Sequence, residues 1–175
     1  MVAEAVTERS IVRVSARVPG WTAIILVVLL PTFDATAVER GTVVYVVDGD
    51  TIKVTMAQGR ETIRLIGVDT PETVDPRKPV QYFGKEASAF TRRVALGKVI
   101  RMEGELGTAN RDRYGRLLRY VYLPDGRLLN AQIIVEGYGF AYTKYPFGKE
   151  AAFRRLEQEA QLQRRGLWAD RHAVK

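Results

Sequence analysis

Between Val43 and Val68 the chain reads as three β-branched runs parted by glycine turns. Val43–Val47 and Thr51–Thr55 flank Asp48-Gly49-Asp50, and Gln58-Gly59 leads into Glu61–Val68. Asp-Gly between such runs is a strong short-range hairpin signal, and a second turn directly after it calls for three consecutive antiparallel strands. A β-meander is therefore the nucleus around which the rest of the chain must be placed.

Downstream, Phe83, Ala87, Phe90 and Val94 recur at helical spacing, which predicts an amphipathic helix up to about Leu96 with Gly97 as its stop. "KVIRMEGE" and "GRLLRYVYL" read as strands four and five. "NAQIIVEG" reads as a short helix capped by Asn130 and stopped by Gly137. Phe153, Leu156 and Ala160 share one face of a charged helix that ends before Gly166-Leu167-Trp168. Strands, helix, strands and further helices give an α+β arrangement. A five-stranded OB-fold barrel with about three helices is the natural candidate.

Composition removes several chemistries. Cysteine is absent, so disulfides, thiolate nucleophiles and zinc–cysteine sites are excluded together. The single histidine, His172, lies three residues from the end. Hydrolysis by such a chain would have to use carboxylates, Arg, Lys, Tyr or a hard metal ion. A net charge of +7 and a pI near 9.8 favour an anionic partner, nucleic acid or a membrane surface.

The N-terminus reads as an address. Arg9, Arg13 and Arg17 precede a charge-free stretch of sixteen residues, Val18–Phe33, and Ala35-Thr36-Ala37 supplies a small-x-small pattern. This describes a secretory signal peptide over residues 1–37. A retained anchor is the alternative, although a spanning helix needs about 20 apolar residues. The segment holds three basic and three acidic residues, so its removal leaves the net charge at +7. Residues 38–175 then form the domain, secreted or periplasmic, or held outside the cytoplasm by the anchor.

Within the predicted strands, certain polar residues stand out. Arg64 sits inside the apolar "TIRLIGV", where a charge needs an anion or a solvated face. Asp50 and Asp69 stand at strand edges, and two hard carboxylates on neighbouring strands could share one cation. Oxygen-only ligation indicates Ca²⁺ or Mg²⁺. Plainer readings stand beside these: Asp-Gly-Asp as a turn, Asp69-Thr70-Pro71 as a capped turn with Glu72 an exposed loop acid, and Arg116 as one of several solvated arginines with Arg111, Arg113 and Arg119. The proline-broken "VDPRKPVQ" carries basic charge that could meet a polyanion or only solvent.

Taken in order, "VDGDTIKV", "IRLIGVDTPET", "YFGKEASAF", "RDRYGRLLRYVY" and the final "GLW" closely resemble the staphylococcal-nuclease-like thermonucleases, from about Thr42 to Trp168. The resemblance implies an OB-fold barrel, Ca²⁺ as cofactor, and a secreted endonuclease, and nothing in the sequence suggests more than a monomer. It would cleave DNA and RNA, single-stranded or frayed by preference, with little sequence specificity and 3′-phosphate products. It assigns Asp50 and Asp69 as calcium carboxylates and Thr70 as the backbone-carbonyl ligand. Glu72 becomes the acid that activates water, and Arg64 and Arg116 bind phosphate. Asp48 falls beside the metal site, and Tyr114 near the phosphate pocket or in a packing role. In "GFAYTKYPFGKE" the match is looser: Tyr142 and Tyr145, with Lys144 between them, form either a stacking platform for a base or a core residue and a loop residue. The rival reading is a non-catalytic OB module that binds nucleic acid. Such a module would be expected to lack one or more of these acids and arginines.

Overall fold

A computed structural model describes residues 38–73 and 81–169 of the chain. The predicted signal segment, most of the proline-broken loop and His172 lie outside the described residues. Five strands close a barrel: β1 (Glu39–Val46), β2 (Thr51–Met56), β3 (Gly59–Leu65), β5 (Val99–Glu103) and β6 (Leu117–Tyr122). Their order is β1-β2-β3-β6-β5, with β5 returning to β1. The meander is antiparallel as expected, whereas β3 and β6 pair in parallel, Ile63 opposite Leu117. Closure of this kind leaves no free edge. Val43, Val46, Ile52, Val54, Ile63, Leu65, Ile100 and Met102 point inward and are essentially buried.

Three α-helices cover the barrel: α1 (Gly84–Ala95), α2 (Leu129–Val135) and α3 (Glu150–Leu162). Helix α1 buries Ala87 and Phe90, and α3 buries Phe153 and Ala160, the faces the spacing predicts.

Two expectations fail in ways that matter for the site. The third strand does not run to Val68. It stops at Leu65, the chain turns at Gly67 (φ +70°), and Val68–Asp69 forms a separate strand, β4, paired with β7 (Phe140–Ala141). A side chain at Gly67 would meet the Phe147 and Phe153 rings, so the turn is packed tightly as well as left-handed. Asn130 is not a helix cap. It lies inside α2, fully buried, and Leu128 precedes the helix. Its Oδ1 accepts from the Val121 amide (2.9 Å), and its Nδ2 donates to the Ile66 carbonyl (2.9 Å). A buried amide must be satisfied, and here that requirement ties β6 to the turn that launches Asp69.

Candidate active site

The Asp-Gly turn positions the first acid. Asp50 is 5% exposed; its amide accepts support from Asp48 by donating to Oδ1 (3.2 Å), and its carbonyl receives the Leu65 amide (2.9 Å). The Asp50 carboxylate is heavily engaged. Oδ1 accepts from the Thr51 hydroxyl (2.9 Å), while Oδ2 accepts from the Thr70 amide (2.9 Å) and the Thr70 hydroxyl (3.2 Å). The β4 segment is thus fastened to the turn between β1 and β2.

Arg64, on β3, joins the two acids. Nη1 lies 2.9 Å from Asp50 Oδ2 and Nη2 lies 3.0 Å from Asp69 Oδ1, while Nη1 also donates to the Val68 carbonyl (2.7 Å). The strand arginine therefore meets anions on a largely buried side chain, and the solvated-face reading does not hold for it. Asp69 is half-exposed. Burial, with Asp50's charge and that of Glu72, pushes its carboxyl up against the pull of Arg64. Asp48 is pushed up to about 7, first by burial and then by Asp50's charge.

Two carboxylates thus share one guanidinium, with the Asp48 carboxyl next to Asp50. Such a surplus of negative charge on oxygen donors suits a hard divalent cation. No three His, Cys, Asp or Glu side chains converge as a ready-made metal cage among the described residues. Asp50 and Asp69 are the two acids brought together there, both on Arg64.

Arg116 reaches the same place from the loop before β6. Its Nη1 donates to the Thr51 hydroxyl (3.4 Å), so Asp50, Thr51 and Arg116 form a chain of contacts. Its posture is set by Asp112: Oδ2 accepts from Arg116 Nε (2.7 Å), and Oδ1 accepts from the amides of Tyr114 (2.9 Å) and Arg116 (3.0 Å). Arg111 and Arg119 are committed elsewhere. Arg111 pairs with Glu61, and Arg119, buried at 4% exposure and not a solvated arginine as expected, is gripped by Glu39 through Nε and Nη2 (both 2.8 Å).

Glu72 stands three residues past Asp69, and its charge is felt there. Gln81 holds its backbone from both sides: Glu72 N–H donates to Gln81 Oε1 (2.8 Å), and Gln81 N–H donates to the Glu72 carbonyl (3.0 Å). Helix α1 is pressed onto the same segment. A side chain at Gly84 would lie 2.9 Å from the Pro71 carbonyl.

Beside the two arginines opens a cleft of about 560 Å³ lined by Arg64, Asp69, Tyr114, Arg116, Tyr142 and Tyr145 among others. Tyr142 and Tyr145 are 6.2 Å apart at an interplanar angle of 58°, and Lys144 Nζ sits 5.9 Å from the Tyr145 ring. Tyr114 is 67% exposed, with the Arg113 and Arg116 guanidinium groups 4.8 and 5.3 Å from its ring. All three tyrosines line the cleft; Tyr142 is partly buried, and Tyr145, 64% exposed, lies in the loop between β7 and α3. Asp112, Thr51 and Gln81 were not singled out from sequence. The Asp-Arg-Tyr-Gly run is an Asx-turn signal that could have found Asp112; an exposed Gln after a proline-broken loop offers none.

A barrel that gathers two acids, two arginines and an aromatic cleft at one end defines a class, and comparison with known proteins gives the family. Residues 62–170 match the family model described as staphylococcal nuclease homologue. The chain is 39% identical over 129 residues to a thermonuclease of Staphylococcus hyicus, covering 73% of this chain and 75% of the relative. It is 40% identical over 124 residues to a thermonuclease of Staphylococcus intermedius, covering 70% and 72%. The SPbeta prophage-derived endonuclease YokF of Bacillus subtilis is 38% identical over 125 residues, 70% of this chain and 42% of that protein. The chain belongs to the staphylococcal nuclease family.

Proposed function

We propose that the protein is a Ca²⁺-dependent endonuclease that hydrolyses phosphodiester bonds in DNA and RNA with little sequence preference, acting outside the cytoplasm as a monomer. The observation that carries this reading is the convergence of Asp50 and Asp69 on Arg64, with Arg64, Asp69 and Arg116 lining one cleft. A phosphodiester is anionic, and its transition state gathers further charge on oxygen. Two guanidinium groups match that charge and its planar geometry. The Asp50 and Asp69 carboxylates and the Thr70 carbonyl would hold the cation, which when bound supplies Lewis acidity and positive charge at the phosphate. Glu72 accepts the proton of the attacking water, Arg64 and Arg116 steady the phosphate, and Tyr114, Tyr142 and Tyr145 receive the adjoining nucleotide. Displacement of the 5′ oxygen leaves a 3′-phosphate end. Arg64 now occupies the two carboxylates that would hold the cation, so with those acids committed to the cation Arg64 would be available to the phosphate.

The test is digestion of denatured DNA by the purified chain in millimolar Ca²⁺, with end-labelling of the products. Activity should stop on chelation and return with Ca²⁺. Digestion indifferent to chelator would remove the metal from the reading. Export is tested by N-terminal sequencing of material outside the cell, where a start after Ala37 supports cleavage and an intact Met1 supports the anchor.

A further inference from the structure

The first strand carries a β-bulge that the chemistry above does not use. The β1–β2 register shifts between Val43, opposite Val54, and Tyr45, opposite Lys53, which leaves Val44 as the extra residue. Val43 and Val46 remain buried, so the bulge turns two consecutive residues outward, Val44 at 39% exposure and Tyr45 at 55%. Bulges re-aim side chains and recur next to active sites. The re-aimed ring meets a cation: Lys53 Nζ lies 5.7 Å from the Tyr45 ring centroid.

Strand register ties this pair to the phosphate site. Inward residues Ile52, Val54, Ile63 and Leu65 put Thr51 and Lys53 of β2, and Thr62 and Arg64 of β3, on the opposite, outer face. Thr51 stands opposite Arg64, and one step down Lys53 stands opposite Thr62 and Tyr45. With ~6.6 Å for two residues along a strand and ~4.8 Å between strands, Lys53 lies about 8 Å from Arg64 and Tyr45 about 12 Å. The tyrosine-lined cleft opens over β3 and the approach to β6, while this pair extends across β2 to β1, on the other side of Arg64. The sign of the surface agrees. Glu39 and Glu61 of these strands are taken by Arg119 and Arg111. Exposed Arg40, Lys53 and Arg60 have no carboxylate partner among the described residues.

We propose that Tyr45 and Lys53 form a second nucleotide subsite, which binds single-stranded nucleic acid on the side of the scissile phosphate away from the cleft. The Tyr45 ring stacks a base, and the Lys53 ammonium meets a phosphate of the same stretch of strand. This combination of aromatic platform and cationic track binds single strands without reading sequence. The inference rests on the nuclease reading for the location of the scissile phosphate.

The test compares a dodecameric oligothymidylate with a thymidine p-nitrophenyl phosphodiester as substrates of the full chain. Stacking on one aromatic ring is worth about 5-fold or more in binding. Tyr45→Ala should therefore lower the ratio of kcat/KM on the dodecamer to that on the ester by at least that factor, and Tyr45→Phe should restore it. Lys53→Ala should reduce the steepness of the salt dependence on the dodecamer by about 0.7 in log–log slope. Equal losses on both substrates, or a ratio within twofold of the parent, would overturn the subsite. So would a change confined to thermal stability, the signature of a merely structural cross-strand pair. Should the parent hydrolyse neither substrate, the nuclease reading falls, and anisotropy of a labelled dodecamer decides this one. Weakening of about 5-fold by Tyr45→Ala supports it; unchanged binding, or equal competition by polyglutamate, overturns it.

Discussion

Asp112→Asn isolates how Arg116 is held. The Asp112 carboxylate accepts from Arg116 Nε at 2.7 Å and from the Arg116 and Tyr114 amides at 3.0 and 2.9 Å. Asparagine keeps Oδ1 for the two amides but sets an NH₂ donor against Nε–H, so the turn survives and the guanidinium loses its anchor. A hydrogen bond to a charged group contributes about 1.5–3 kcal/mol. With side chains 27% and 18% exposed, the lower end applies. Misplacing one phosphate-binding arginine by that much predicts a fall in kcat/KM of about tenfold. Arg116→Ala, which removes the group, should cost far more.

The pH dependence follows from the same pair. Partial burial works to raise the Asp112 carboxyl, but hydrogen bonds from the Arg116 side chain and from the Arg116 and Tyr114 amides, with the Arg116 charge, hold it below the ordinary value of 3.8. Its stabilising contribution is therefore fully present above 3.8 and is lost as pH falls through the lower folded value. Urea unfolding should show the variant less stable by about 1 kcal/mol at neutral pH, with the gap closing as pH falls below 3.8 and through the lower folded value. A gap undiminished in acid would mean the charge is not its origin. Activity within twofold of the parent would mean that Asp112 does not position Arg116, and the reasoning fails.

Glu72→Gln should lose at least about 100-fold in kcat, as expected for a general base, while urea unfolding matches the parent. Gln81→Ala should lower kcat about fivefold with little change in KM, because it frees the Glu72 amide it now accepts from; Gln81→Glu keeps that acceptor and should recover most of the rate, and failure of rescue would count against positioning. Glu39→Ala leaves the Arg119 guanidinium buried without its carboxylate and should destabilise the fold by about 3 kcal/mol, read as a lowered urea midpoint with unchanged slope.

The barrel was legible where the chain signals locally. The Asp-Gly turn and the alternation of Ile52 and Val54 against Lys53 and Thr55 define β2 from sequence, and the observed strand agrees. Where non-local contacts decide, the reading fell short. The first strand reads as Val43–Val47 from sequence, yet β1 begins at Glu39 and β5 pairs along that start, Arg40 opposite Arg101. Val68 looked like the end of β3 because Ile63, Leu65, Ile66 and Val68 read as one apolar run around Arg64; a left-handed turn at Gly67, held by Asn130 from α2, cuts it. Gly67 is the local sign of the cut, but the Asn130 contact that holds it comes from 64 residues beyond Ile66.

The site divides along the same line, and Arg116 and Arg119 show why. They lie three residues apart in one basic run, and any local rule treats them alike. Strand β6 begins between them, at Leu117, and places Leu117, Arg119 and Val121 on its buried side. Since Leu118 and Tyr120 are also apolar, the run shows no alternation from which that phase could be read. Arg119 is turned inward and must find a carboxylate, which the far end of β1 supplies at Glu39, 80 residues away. Arg116, one residue before the strand, escapes the phase and is left for Asp112 and Thr51 to aim at the cleft. The distinction between a structural arginine and a phosphate ligand is thus made by the register of one strand, and substitutions that shift that register would exchange their roles before they changed their charge.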